Sequence, residues 1–197
     1  NFYSIGNAVD KENIFGELVA LVCDQPNAEV IEKAKRKDIP VILIPKEKDK
    51  KTHEKKIIES LSQYQPDFIV LAGYMRVFTE DFIEHYRSPL GFSRIINVHP
   101  SLLPAFPGVN SYKQAFDHGC HVAGVTVHLV EKELDSGPIC AQQSFSIADC
   151  HSAKEVEERG LQVEHELYPK VIDWVINEKF ELEMHTKDSR RFRVRSC

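Results

Sequence analysis

The chain has 197 residues, of which 42% are hydrophobic and 28% charged, and its formal net charge is -5. This composition is typical of folded globular proteins and excludes a largely disordered chain. The length predicts one domain, residues 1–197, built around a single sizeable core. A net negative chain is a poor match for nucleic acid, whose phosphates are neutralised by a broad basic face. We therefore expect a small-molecule substrate and no nucleic-acid partner.

The cysteines and the hydropathy indicate the cellular compartment of the protein. The five cysteines are Cys23, Cys120, Cys140, Cys150 and Cys197. Their odd number, without CxxC pairing or His-bracketed spacing, predicts reduced thiols in a cytoplasmic protein and no metal site. No run reaches the roughly eighteen apolar residues that a membrane span needs, and the chain does not open with a charged start and an apolar run. We therefore expect neither secretion nor a membrane partner.

Helices and strands are predicted to alternate through the first half of the chain. In chain order these are a helix at 2–9, a strand at 17–23, a helix at 27–37, a strand at 41–45, a helix at 51–64, a strand at 68–72, a helix at 79–86 capped by Thr79, and a strand at 95–99. The strand runs are nearly continuous in Val, Ile and Leu, as in parallel strands covered on both faces. The alternation predicts an α/β fold of the doubly wound type, with a mostly parallel sheet and helices on both faces.

The pattern changes after residue 120. Two longer apolar runs, 122–130 and 139–147, are joined by a short connection containing the turn Leu134-Asp135-Ser136-Gly137-Pro138, which predicts antiparallel or mixed strands added to the sheet. Residues 152–177 read as one long helix, which Pro169 should kink or divide. We expect residues 181–197 to form a tail whose last, basic residues fray.

The start of the chain departs from the doubly wound pattern. Such a domain usually opens with a strand and a Gly-rich turn, whereas this chain goes straight into the helix at 2–9. Either the first strand is missing or the sheet is one strand short.

Asn97 and His99 stand two apart in the strand run that Pro100 ends. Side chains two apart on a strand point to the same face, so an amide and an imidazole lie side by side at a carboxyl end, where doubly wound sheets bind ligands. Both can donate to an oxygen that becomes negative in a tetrahedral intermediate, and a protonated imidazole also supplies a proton. The pair suits acyl transfer, although a lone Asn-x-His is more often two ordinary polar groups at a strand end.

Asp135 lies in the turn between the two later strand runs. Asp before Ser-Gly-Pro is a common turn former, and that structural role alone accounts for it. If the turn folds back over the strand end that carries His99, the carboxylate favours a charged imidazolium. The histidine then remains available as an acid near neutral pH.

Three runs resemble the motifs of the folate-dependent formyltransferases, in the same order as in that family. They are residues 96–108 (Ile-Asn-Val-His-Pro-Ser-Leu-Leu-Pro-Ala-Phe-Pro-Gly), 71–76 (Leu-Ala-Gly-Tyr-Met-Arg) and 133–138 (Glu-Leu-Asp-Ser-Gly-Pro), and the similarity extends from Asn1 to about Trp174. The resemblance implies the formyltransferase fold, with a nucleotide-substrate half at 1–95 and a catalytic and folate half at 96–180. Within the family the similarity is to purine-pathway members, which implies formyl transfer from 10-formyltetrahydrofolate to the amine of 5'-phosphoribosylglycinamide (glycinamide ribonucleotide).

Carried over residue by residue, the resemblance also implies the site. The implied catalytic residues are Asn97, His99 and Asp135; the implied folate-binding residues are Met75, Arg76, Val77, Phe78 and Asn97; the implied substrate-binding residues are Asn1, Gln162 and Glu164. The formyl-folate is a co-substrate, the amine attacks it directly without a covalent enzyme intermediate, and no metal takes part. Family members are monomers or homodimers, and we expect one of these states here.

Two positions depart from the family pattern. The family's phosphate-binding loop, Ser-Gly-x-Gly-Ser-Asn, is matched only at its last residue, by Asn1. A Gln that usually stands three residues before the substrate-contacting Glu is replaced by Leu161, and Gln162 stands beside it. The assignments of Asn1 and Gln162 rest on these partial matches.

Three other functions compete with this interpretation. A 10-formyltetrahydrofolate hydrolase (deformylase) shares the three catalytic residues but reads His-His-Ser-Phe after the Asn, where this chain has Val98-His99-Pro100-Ser101-Leu102. Methionyl-tRNA formyltransferase shares the His-Pro-Ser-Leu-Leu-Pro run but needs a further C-terminal domain and a basic surface. A non-catalytic doubly wound binding domain explains the alternation of elements but not three motifs in register.

Overall fold

The computed structural model describes residues 1–186 and 189–196, with side chains for residues 1–180. In that part of the chain the helices are α1 (Phe2–Asp10), α2 (Glu29–Lys35), α3 (Lys50–Leu61), α4 (Glu80–His85), α5 (Ser111–Asp117) and α6 (Ala153–Ile176). The strands are β1 (Leu21–Cys23), β2 (Val41–Leu43), β3 (Ile69–Val70), β4 (Ile95–His99), β5 (Val122–Leu129), β6 (Ile139–Ser146), β7 (Phe180–Thr186) and β8 (Ser189–Ser196).

The strands pair in parallel early in the chain and antiparallel later. β1 pairs parallel with β2, and β3 pairs parallel with β4. β5 and β6 then add antiparallel to β4, which gives a sheet of order β3-β4-β5-β6 beside the separate β1-β2 pair. Helices join the parallel strands, as right-handed crossovers require. The predicted α/β class is confirmed, including the antiparallel strands added after residue 120.

Helix starts follow the capping residues. The Thr79 side chain accepts a hydrogen bond from the backbone N–H of Phe82, with acidic residues in the first turn of α4, as predicted. Asp49 caps α3 in the same way by accepting from the Thr52 N–H at 2.7 Å. Each such cap contributes roughly 1 kcal/mol to helix stability.

Pro169 lies inside α6 without dividing it. The helix is continuous from Ala153–Ile176, so of the two predicted effects a division is wrong, and a kink at Pro169 stays a prediction. Pro169 and its neighbour Tyr168 are buried, and Val171 and Ile172 of the same helix lie in the main core. Burial of this apolar face offsets the lost backbone hydrogen bond, whose absence costs about 3 kcal/mol in an exposed helix.

One helix and one hairpin of two strands were not predicted from the sequence. α5 follows the His-Pro run, in a stretch to which no element was assigned. The expected fraying is also wrong for residues 189–196, because β7 and β8 pair as an antiparallel hairpin from Phe180↔Ser196 to Thr186↔Ser189; Cys197 lies outside the described residues. Among the described residues, no helix combines the length and the apolar character that a membrane crossing demands.

The main core lies between α6 and the sheet. Its fully buried members include Phe92, Ile96, Val127 and Leu129 beside Tyr168. The Tyr168 hydroxyl lies 2.9 Å from the carbonyl oxygens of Leu71 and Ile96, so it ties α6 to the carboxyl end of β3 and to the residue of β4 that precedes Asn97. The long helix therefore fixes the edge of the sheet at which the candidate site residues lie.

Candidate active site

Asn97 and His99 project from the carboxyl end of β4, the strand whose predicted bounds the structure reproduces. β4 lies between β3 and β5 in the sheet, so its backbone hydrogen bonds are made on both sides. Pro100 follows His99 directly and cannot continue the ladder. The two side chains are thus held by an interior strand, which limits their movement.

The His99 ring is buried, with an exposed fraction of 3%, and both of its nitrogens face oxygen atoms. Nε2 lies 2.9 Å from the Phe106 carbonyl oxygen and 3.2 Å from the Ser111 hydroxyl. Ser111 donates its own hydrogen to the same carbonyl at 2.9 Å, so it presents a lone pair to the ring. Nδ1 lies 3.4 Å from Asp135 Oδ2. Carbonyl oxygen, hydroxyl lone pair and carboxylate are all acceptors, so each ring nitrogen faces at least one acceptor.

Asp135 is held against His99 by the turn that joins β5 and β6. Its φ of 50° is left-handed, a conformation that Asp tolerates better than most residues. Oδ2 also accepts a hydrogen bond from the Gly108 N–H at 2.8 Å. Gly137 lets the turn close, since a Cβ there would lie 1.8 Å from the Leu129 carbonyl oxygen. The turn therefore folds back over the end of β4, as the functional interpretation of Asp135 required.

Asn97 has a histidine partner that sequence reasoning assigned no role. Its Nδ2 lies 3.2 Å from Nε2 of His128, which stands directly opposite it on β5. His128 Nδ1 lies 3.0 Å from the Leu129 carbonyl oxygen, and Nε2 is 3.8 Å from Asp135 Oδ1. Asn97, His99, His128 and Asp135 form what we call the strand-end cluster.

The four consecutive residues implied in folate binding lie in the segment between β3 and α4. Met75 and Val77 are exposed, with exposed fractions of 73% and 46%. The Phe78 side chain is instead in the core, stacked on Tyr74 and Phe82, so it presents at most backbone groups to a ligand. Arg76 Nη2 lies 3.4 Å from the Glu47 carbonyl oxygen, and its Nη1 is buried without a protein partner.

Two of the three residues implied in substrate binding come together. Asn1 Nδ2 donates to Glu164 Oε2 at 2.7 Å, and the Tyr112 hydroxyl donates to Glu164 Oε1 at 2.8 Å. Burial and the neighbouring carboxylate raise the pKa of Tyr112, so its hydroxyl stays protonated. Asn1, Tyr112 and Glu164 form what we call the helix cluster, between α1, α5 and α6. Gln162 is exposed and does not join it, because two residues along a helix turn a side chain to another face.

Sequence reasoning missed four residues of this site: Phe106, Ser111, Tyr112 and His128. Phe106 acts through its backbone carbonyl, which no residue type reveals. Tyr112 fits because Gly160 leaves space on α6, where a Cβ would lie 2.2 Å from the tyrosine ring. His128 is found only once the register of β4 and β5 is known. Within the described residues no three His, Cys, Asp or Glu side chains are grouped to hold a metal.

Comparison with known proteins agrees with this arrangement. The family model described as formyl transferase matches residues 1–172. The phosphoribosylglycinamide formyltransferase of Bacillus subtilis is 41% identical over 174 residues, which are 87% of this chain and 87% of that protein. The chain belongs to the formyl transferase family. The resemblance of the three motifs and the transferase class are thereby confirmed.

One solved structure and a second relative show how much of each protein the similarity covers. The crystal structure of glycinamide ribonucleotide transformylase 1 from Symbiobacterium toebii superposes with a TM-score of 0.87 at 30% identity, covering 98% of this chain and 87% of that one. The formyltetrahydrofolate deformylase of Haemophilus influenzae is 33% identical over 164 residues, which are 83% of this chain and 56% of that protein. The chain therefore spans most of the transformylase but little more than half of the deformylase.

Proposed function

We propose that the protein transfers the formyl group of 10-formyltetrahydrofolate to the amine of glycinamide ribonucleotide, in purine synthesis. The single observation that carries the proposal is the placement of the His99 ring between Asp135 and the Phe106 carbonyl, beside the amide of Asn97. Two donors, one an amide and the other a charged imidazolium, are what a tetrahedral intermediate with a negative oxygen requires. The names of the Bacillus subtilis and Symbiobacterium toebii relatives include this substrate, whereas the name of the Haemophilus influenzae relative does not.

The amine attacks the formyl carbon directly, and the carbonyl oxygen becomes the oxyanion. Asn97 donates an N–H to this oxygen, and the His99 imidazolium donates Nε2–H. In the structure that hydrogen is directed at the Phe106 carbonyl, so the formyl oxygen takes the place of this carbonyl as acceptor. Asp135 sustains the charge on His99 and helps return protons from the amine to the leaving nitrogen of the folate.

The two substrates approach the strand-end cluster from different sides. Met75 and Val77 after β3, and Leu134 beside Asp135, are exposed apolar side chains of the kind that contact a flat pteridine ring. The helix cluster offers the Glu164 carboxylate to the polar groups of the glycinamide ribonucleotide. As further parts of the proposal, the enzyme is cytoplasmic, works as a monomer or homodimer, and needs neither nucleic acid nor a metal.

Release of tetrahydrofolate from 10-formyltetrahydrofolate, measured with and without glycinamide ribonucleotide, tests the proposal. The transferase releases tetrahydrofolate only when the amine is present, and formylated product appears in equal amount. Equal release without the amine would instead assign the chain to the deformylases. Absence of turnover under both conditions, in protein that is folded by circular dichroism, would leave only a non-catalytic binding role.

A further inference from the structure

His128 and Asn97 form a directly opposed pair across β4 and β5, so their side chains lie on the same face of the sheet. The His128 ring is almost completely buried, with an exposed fraction of 2%, and Asn97 is partly exposed. Asn97 Nδ2 lies 3.2 Å from His128 Nε2. The histidine thus lies behind the amide, on the side away from solvent.

The surroundings of His128 determine which of its nitrogens carries hydrogen. Nδ1 lies 3.0 Å from the Leu129 carbonyl oxygen, which can only accept, so Nδ1 carries the hydrogen. Burial lowers the pKa of His128, with His99 acting in the same direction and the Leu129 carbonyl and Asp135 opposing. The ring is therefore neutral at physiological pH, and Nε2 presents a lone pair. Asp135 Oδ1, at 3.8 Å, is too far to be its hydrogen-bond partner.

A lone pair at Nε2 fixes the orientation of the Asn97 amide. Only the NH2 end of the amide can face this lone pair, because the oxygen end would place two acceptors in contact. One N–H is used in this contact, and the second N–H remains free. If the Asn97 amide were flipped, its oxygen would face the lone pair of His128 Nε2, and the free N–H would no longer point to the reaction centre.

We infer that His128 is a positioning residue, which holds the Asn97 amide in the one orientation that offers an N–H to the formyl oxygen. This inference rests on the proposed formyl transfer, in which Asn97 is the donor. His128 itself does not touch the substrate.

Two substitutions at His128 distinguish the contribution of Nε2 from the contribution of Nδ1. His128→Gln places an amide oxygen close to the position of Nε2, so it can still accept from Asn97. His128→Asn keeps a donor near the position of Nδ1, for the Leu129 carbonyl, but offers nothing at Nε2. We expect His128→Asn to lower kcat about tenfold to a hundredfold, less than loss of the donor itself. KM for both substrates should stay within about threefold, and His128→Gln should recover most of the lost turnover.

A double substitution distinguishes positioning from general support of the fold. In an Asn97→Ala background, His128→Asn should lower kcat by no more than about twofold, because no amide remains to be oriented. Equal kcat values for the Gln and Asn variants, or an undiminished effect of His128→Asn in the Asn97→Ala background, would overturn the inference.

A spectroscopic measurement tests the pairing of His128 and Asn97 without relying on enzyme turnover. In ¹⁵N NMR of the wild-type protein we expect a protonated Nδ1 and an unprotonated Nε2 at His128, and an Asn97 side-chain NH2 resonance that shifts in His128→Asn but not in His128→Gln. A protonated Nε2 would contradict the inference even if formyl transfer is observed. Absence of formyl transfer with the expected spectra would refute the proposed function and leave the pairing intact.

Discussion

The strand-end cluster and the helix cluster hold their polar groups in different ways. In the first, the sheet register and one tight turn place Asn97, His99 and Asp135, and both nitrogens of His99 have partners. In the second, a carboxylate is held where α1, α5 and α6 meet, and the buried Asn1 Oδ1 has no protein partner. In the proposed function, the strand-end cluster therefore holds the reacting groups in position in advance, whereas the helix cluster keeps an amide oxygen available for a ligand.

Removal of the amide from the strand-end cluster should give the largest effect. We expect Asn97→Ala to lower kcat about a hundredfold to a thousandfold, because one oxyanion donor is lost. KM for both substrates should change little, since the donor acts on charge that develops only in the transition state. Steady-state kinetics with both substrates check this, and an equal loss in KM would indicate a binding role instead. The melting temperature should fall, because the buried Nε2 of His128 loses its partner, but the variant should remain folded at the assay temperature.

A substitution in the helix cluster should act on binding. We expect Glu164→Gln to raise KM for glycinamide ribonucleotide about tenfold, in line with the 1.5–3 kcal/mol or so of a hydrogen bond to a charged group, with kcat within about twofold. The matched control is Glu166→Gln, on an exposed position of the same helix, which should leave both parameters unchanged. A fall in kcat alone would mean that the helix cluster takes part in the chemistry and would remove the contrast between the two clusters.

Buried His128 should make the stability of the protein depend on pH, an effect for which the helix cluster has no corresponding histidine. Because burial holds the pKa of His128 below the ordinary histidine value of about 6.5, the unfolded chain binds more protons at mildly acidic pH. The contribution of neutral His128 to the free energy of unfolding should therefore be complete above about pH 6.5 and should be lost as the pH falls below this value. Thermal unfolding at a series of pH values should show a smaller loss in His128→Asn than in the wild type. Identical pH profiles for the two proteins would contradict a buried neutral ring.

Substitution of Gln162 should have the smallest effect on stability and on KM. It is exposed and lies off the face of α6 that carries Glu164, so we expect Gln162→Ala to change stability by less than about 0.5 kcal/mol and KM by less than about twofold. Measured KM values for glycinamide ribonucleotide decide this. A rise comparable to that of Glu164→Gln would show that Gln162 reaches the substrate, as the family resemblance first implied.

Local sequence signals located several elements of the fold, among them β4, which carries Asn97 and His99. The bounds of β4 follow from an apolar run ended by Pro100, and the start of α4 follows from the cap at Thr79. The start of α6 follows in the same way from Ser152, whose side chain accepts from the Glu155 N–H. These features depend on a few neighbouring residues, so the sequence alone contains them.

The features that were missed depend on contacts between distant residues. His128 meets Asn97 only because β5 pairs with β4 in one particular register. Pro169 remains in a continuous helix because one face of α6 is buried against the core. Gln162 was placed by a partial motif match, whereas helical geometry turns it away from Glu164. Such outcomes are decided by tertiary packing, which propensities do not describe.

The central claim is that Asp135 keeps His99 charged while formyl transfer occurs, and Asp135→Asn tests it most directly. Asparagine also tolerates the left-handed backbone at this position, so the turn should form as before while the negative charge is lost. The rate of tetrahydrofolate release in the presence of glycinamide ribonucleotide should fall at least about a hundredfold at neutral pH. Release at the wild-type rate by this folded variant would contradict the account.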